Sequence, residues 1–152
     1  MSLIRITSVA FGLLAAVTIA NAQAPKTKLP MAVEAAFRKA YPNATIKTSS
    51  SEKGDGKLQY EIESVDGKTN RDVVYLADGT VVAIEEQIDA AAVPSPVVTA
   101  LKARYPKATV TKYEKLTKGT AISYEMELKG VSVKEAEIAP DGTFIIPKPV
   151  KK

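Results

Sequence analysis

Two matching pairs of glutamates stand out as groups that could do chemistry: Glu61 and Glu63 in Tyr60-Glu61-Ile62-Glu63, and Glu125 and Glu127 in Tyr124-Glu125-Met126-Glu127. Paired carboxylates serve glycoside hydrolysis, one as acid and the other as base or nucleophile. That reaction needs a deep cleft and unequal surroundings for the two acids. Two equivalent pairs on a small sheet offer neither, so the chain is not expected to be an enzyme. Its composition points the same way. Histidine, cysteine and tryptophan are absent. Without His there is no Ser-His-Asp or Cys-His nucleophile system, and the usual zinc, copper and haem ligands are missing. No cofactor and no metal site are expected.

The elements that must position these acids follow from an internal repeat. Shifting the chain by 64 residues lays Pro30-x-x-Val33-x-x-Ala36 over Pro94-x-x-Val97-x-x-Ala100. The same shift lays Tyr41-Pro42-x-Ala44-Thr45 over Tyr105-Pro106-x-Ala108-Thr109, and one glutamate pair over the other. After a single deletion, Asp78-Gly79-Thr80 lies over Asp141-Gly142-Thr143. Four such matches in order are a duplication rather than coincidence.

Each copy reads as a helix and then strands. Val33, Ala36, Phe37 and Ala40 fall at i, i+3, i+4 and i+7, as do Val97, Ala100, Leu101 and Arg104. Pro30 and Pro94 suit a helix start. Pro42 and Pro106 disfavour helical geometry at the tyrosines before them, which ends both helices. Strands are predicted over about 44–50, 57–65, 70–77 and 80–88, then 108–115, 121–129, 131–139 and 143–147, with Asp-Gly and other Gly turns between them. Each such turn has at most one carboxylate, too few for calcium, which takes six to eight oxygens. The predicted fold is α+β: two tandem repeats, each one helix followed by a four-stranded antiparallel sheet, with the helices on one sheet face. Repeat one spans 29–88 and repeat two 93–147. A unit of about 60 residues is marginal alone, so the two should share a core or a continuous sheet. The connection from Asp89 to Val93 is too short to let them move freely.

Residues 1–22 read as a signal peptide: a basic start ending at Arg5, an apolar run over Ile6 to Ala20, and the small-x-small site Ala20-Asn21-Ala22. Residues 23–28 would be a flexible lead-in and 148–152 a frayed tail. The expected location is periplasmic or secreted, with no stable membrane anchor after cleavage. The net charge of +4 comes from interspersed acids and bases. That is no nucleic-acid footprint, which needs clustered Lys and Arg on one face.

Period-two alternation sends Leu58, Tyr60 and Ile62 under the helix and Glu61 and Glu63 to the opposite, open face. Glu125 and Glu127 follow in the second copy. Lys47, Thr111 and Tyr113 are assigned to that face as well. The open face then reads either as a recognition surface for an envelope or secreted protein or as a solvated face with cross-strand ion pairs. Glu61 and Glu63 would sit roughly 7 Å apart, where repulsion in water is only about 0.6 kcal/mol, so the pairing does not by itself require a ligand. A small-ligand or cation sensor using the same acids is the alternative function. Val74 and Leu76 make strand three apolar on both faces, so they are either covered or form a patch for a partner. Their counterparts are Glu137 and Ala139, which suggests unequal roles for the two copies.

Leu29-Pro30, Val33, Ala36-Phe37, Tyr41-Pro42, Tyr60-Glu61-Ile62 and Asp78-Gly79-Thr80 together resemble the PepSY-like domain family. That family is related in fold to the beta-lactamase inhibitor protein, itself a tandem of helix-plus-four-strand units. The resemblance covers about residues 29–147. It implies an envelope or secreted location, a sheet face available to another protein, and the restraint of proteases attributed to such domains. No inhibitory motif carries over residue by residue, and the inhibitor protein's disulfides have no counterpart here.

Overall fold

A computed structural model of the chain describes residues 27–54 and 56–145. The predicted leader at 1–22 and the tail at 148–152 lie outside the described residues. The element order is α1 (Met31–Ala40), β1 (Thr45–Gly54), β2 (Lys57–Asp66), β3 (Thr69–Leu76), β4 (Val81–Gln87), α2 (Ser95–Arg104), β5 (Thr109–Lys118), β6 (Ala121–Lys129), β7 (Glu135–Ile138) and β8 (Phe144–Ile145). A short 3-10 turn, Ala90–Ala92, lies between β4 and α2.

The expected pair of four-stranded units is corrected by the strand pairing. All eight strands form one antiparallel sheet in the order β1 to β8. The join is made by β4, whose residues Ile84–Gln87 pair with Glu114–Thr117 of β5. The reason is physical. Two separate sheets would each leave an inner edge with unpaired backbone groups, and each would carry too small a core. Pairing β4 with β5 covers the facing part of both inner edges, Ile84–Gln87 and Glu114–Thr117.

Both helices lie on the same face of this sheet but over separate clusters. Val33 and Phe37 of α1 pack with Ile62, Val73 and Tyr75. Val97 and Leu101 of α2 pack with Met126, Leu128 and Ile138. The helices end as Pro42 and Pro106 dictate. Tyr41 and Tyr105 leave helical geometry at nearly the same angles, φ −132° and −129°, and their N–H groups still bond to the Phe37 and Leu101 carbonyls.

The Asp-Gly-Thr turns do more than reverse the chain. Asp78 Oδ1 accepts from the Thr80 N–H and Asp141 Oδ1 from the Thr143 N–H, each at 2.9 Å. These bonds hold both carboxyls below their ordinary pKa. Gly79 has φ +85°, and a Cβ there would lie 2.7 Å from the Ala32 carbonyl oxygen of α1. Gly142 meets Pro96 of α2 in the same way at 3.0 Å. The turns therefore dock onto the helices, and glycine is needed for space as well as for φ. Gly79→Ala should cost about 2–4 kcal/mol, from left-handed strain plus overpacking against backbone. Gly67→Ala should cost only about 1 kcal/mol, because nothing lies within 4 Å of its added Cβ. Urea denaturation of the two variants checks the difference; equal losses would mean that the turn does not press on α1.

Candidate functional site: an acidic sheet face

The face away from the helices is built by strand alternation, and its middle is apolar. Val74, Ala83 and Leu116 are only 5%, 1% and 2% exposed, yet they belong to neither helix-side cluster. Register explains this. Glu61 pairs with Val74 and Val74 with Ala83, while Leu116 pairs with Glu85 and Ser123.

Around the floor the sheet sets carboxylates directly opposite one another. Glu63 pairs with Asp72 and Asp72 with Glu85. Glu114 pairs with Glu125, Glu125 with Glu137, and Glu127 with Glu135. Like charges in direct cross-strand pairs are destabilising. Few cations relieve them. Lys112 reaches Glu114 at 2.6 Å, and its ammonium pKa is raised by the hydrogen bond and charge of Glu114 against the opposing effect of burial. Lys47 donates to Asn70 Oδ1 at 2.7 Å rather than to an acid.

The consequence is a set of carboxyls that hold protons unusually well. Burial, then the charges of Glu125, Glu114, Asp72 and Glu61, push Glu85 up to about 8. Burial, then Glu135, Glu114 and Glu137, push Glu125 up to about 7. Burial, then Glu63 and Glu61, push Asp72 up to about 6. Glu61 is raised by burial, against the hydrogen bond it accepts from Ser50. Among the described residues no group of three or more acids is arranged to hold a metal ion. The charge is spread over a surface instead.

The sequence-assigned residues fall out unevenly. Glu61, Glu63, Glu125 and Glu127 all lie on this face, and Val74 is part of its floor. Leu76, at the end of β3, is half-buried beside Gln59. Lys47 sits in a bulge between Ile46 and Thr48 and reaches the face through Asn70. Tyr113 does not lie there. The matching bulge between Val110 and Lys112 shifts the alternation, so Tyr113 pairs with Met126 and packs into the α2 cluster, while Lys112 takes the open face. Asp72, Glu85, Glu114 and Glu135 join this face without any assignment from the sequence, and Glu137, noted there only as the counterpart of Val74, joins them. The alternation Ala83, Glu85, Gln87 against Val82, Ile84, Glu86 was a usable signal for Glu85, but its centrality depends on the β4–β5 join.

A family model provisionally described as beta-lactamase-inhibitor-like, PepSY-like matches the chain twice, over residues 16–83 and 58–147. Among solved structures the chain is similar to a protein of Bacteroides eggerthii provisionally designated periplasmic, with TM-score 0.66, 17% identity, and 79% of this chain and 88% of that one covered. It is similar to a DUF2874 family protein of Bacteroides uniformis, with TM-score 0.64, 18% identity and coverage of 78% and 88%. It is also similar to a BLIP-like protein of Bacteroides fragilis, with TM-score 0.57, 19% identity and coverage of 82% and 86%. No curated protein matches the sequence closely. Among the described residues no helix is long and apolar enough to cross a membrane.

Proposed function

The chain belongs to the beta-lactamase-inhibitor-like, PepSY-like family, and from that premise we propose that it is a non-enzymatic binding protein of the cell envelope whose acidic sheet face captures a basic protein surface. The carrying observation is the run of directly opposed carboxylates, Glu63–Asp72–Glu85 and Glu114–Glu125–Glu137. Fold stability alone disfavours such pairs. A partner presenting Lys and Arg would neutralise them and convert the penalty into binding specificity. The apolar floor of Val74, Ala83 and Leu116 adds area at the centre, where interface energy concentrates. Export by the leader at 1–22 would place the protein in the periplasm or outside the cell, alongside the relatives designated periplasmic. A protease or another envelope enzyme restrained by this face is the kind of target the family suggests.

Changing Glu61, Glu63, Glu125 and Glu127 together to Gln should abolish capture of the partner from an envelope extract while leaving the fold intact. Capture by the unmodified protein should weaken steeply with salt. It should also be stronger at pH 8 than at pH 5.5, because Glu85, Glu125 and Asp72 lose their protons over that interval. Unchanged capture by the fourfold variant would remove the sheet face from consideration.

A further inference from the structure

The hairpins that end the two halves match bond for bond at a shift of 63 residues. The Leu76 N–H donates to the Thr80 carbonyl and the Ala139 N–H to the Thr143 carbonyl, both at 2.8 Å. The Gly79 N–H donates to the Leu76 carbonyl and the Gly142 N–H to the Ala139 carbonyl, both at 2.9 Å. Tyr75 pairs with Val81, and Ile138 with Phe144. β8 is therefore the counterpart of β4.

Beyond Val81 the first half carries a bulge. Val82 is the extra residue, and Ala83 then pairs with Val74 and Glu85 with Asp72. A bulge sets two residues of one strand against one of its neighbour. Ile145, the counterpart of Val82, lies against Glu137, the counterpart of Val74. That is the first half of the same arrangement. Completing it would bring Ile146 to Glu137, and Lys148, at the position of Glu85, to Glu135.

The prolines favour this register over an unbulged one. In the first half the Ile88 N–H donates to the Tyr113 carbonyl of β5. By alternation the N–H groups of Ile84 and Glu86 point to β5 as well, and those of Ala83 and Glu85 point to β3. Pro147 and Pro149 hold the positions of Ile84 and Glu86. With the bulge, both would turn their missing donors outward, where β8 has no neighbour among the described strands. A sheet tolerates proline there, and the edge is blunted by it. Without the bulge both would face β7 and remove ladder donors.

We propose that residues 146–149 continue β8 along β7 through a bulge at Ile145, and that Lys148 stands on the acidic face opposite Glu135, an internal counter-cation marking the margin of the partner-binding surface. The place suits a cation. Glu135 pairs with Glu127, and its carboxyl is raised by burial, then by Glu127 and Glu114, against the charge of Lys112. The first half sets like charges, Asp72 and Glu85, at the equivalent position. The second would set unlike charges there, which stabilises a sheet. The surface left for a basic partner is then the central field of Asp72, Glu85, Glu114 and Glu125. The margin rests on the capture reading above; the docking of 146–149 does not.

Amide exchange and the carbon-13 titration of the Glu135 carboxyl, both on the full chain, test the docking. The Lys148 N–H, which would donate to β7, should be protected at least about tenfold more than that of Lys152. Lys148→Gln should raise the Glu135 midpoint, whereas Lys151→Gln, at the position of Ile88, should leave it in place. An unprotected Lys148 amide, or equal shifts from the two variants, would overturn the docking. The margin is tested with an octalysine peptide at low salt. Lys148→Glu, the residue the first half carries there, should tighten its binding about threefold; no tightening would overturn the margin. The fourfold glutamine variant separates the two readings: if it binds octalysine as well as the parent does, capture by the face falls, while protection of the Lys148 amide still upholds the docking.

Discussion

Glu85→Gln should raise the melting temperature by roughly 10 °C at pH 8 and change it little at pH 5. Glu85 is on β4 at the centre of the sheet, and burial together with the charges of Glu125, Glu114, Asp72 and Glu61 pushes its carboxyl from 4.5 to about 8. Between those values the folded protein holds a proton on Glu85 that the unfolded chain releases. Stability therefore falls as pH rises through the window from about 4.5 to about 8, and below it the penalty is absent because both states are protonated. The penalty at pH 8 is a few kcal/mol at about 1.4 kcal/mol per pKa unit. The unmodified protein should accordingly melt higher at pH 5 than at pH 8. Gln keeps the shape and loses the titration, so most of this slope should disappear. A smaller slope remains from Glu125 and Asp72, raised to about 7 and about 6. If Glu85→Gln melts with the full pH dependence of the parent, the carboxyl is not held in the crowded, buried position described.

Much of the architecture was legible because it is local. Pro42 and Pro106 set the helix ends, the glycine turns set the hairpins, and alternation placed Glu61, Glu63, Glu125 and Glu127 on one face. What escaped was non-local or depended on a single inserted residue. The small size of each copy pointed to a shared core or a continuous sheet, but which strands make the join, with Glu85 of β4 paired to Leu116 of β5 across the intervening helix, is reported by no spacing rule. The join also moves Asp72, Glu85 and Glu114 into one crowded field, so the site is larger and more strained than two separate glutamate pairs. The bulges at Lys47 and Thr111 have no strong signature, since neither position is Gly, yet each resets the alternation. One of them sends Tyr113 to the opposite face. Strand three is apolar on both sides because Val74, only 5% exposed, is floor on the open face and lies outside both helix-side clusters. The counterpart Glu137 lies across from Glu125 and accepts from the Ser123 hydroxyl, so it extends the acidic face at the position where the first half has Val74.

Phe37→Ala should destabilise the whole molecule by about 3–5 kcal/mol, in one transition. Phe37 is fully buried and joins α1 to Ile62, Val73 and Tyr75. Its ring also meets Tyr41 at 5.3 Å between centroids, tilted by 48°. The second cluster, around Met126, Leu128 and Ile138, shares no buried residue with the first. If the two clusters were independent, losing Phe37 would melt one half and leave the other unchanged. The sheet argues against independence. Unfolding the first half strips β4 from β5, exposes the backbone edge at Glu114–Thr117, and uncovers Leu116. Neither half can lose its strands without charging the other for the shared edge, so amide exchange at Leu128 and Ile138 should accelerate along with exchange at Ile62 and Val73. A biphasic melt, with the second cluster keeping its original midpoint, would falsify that coupling. A single shifted midpoint would make the eight-stranded sheet the cooperative unit, with the acidic face running across its central join.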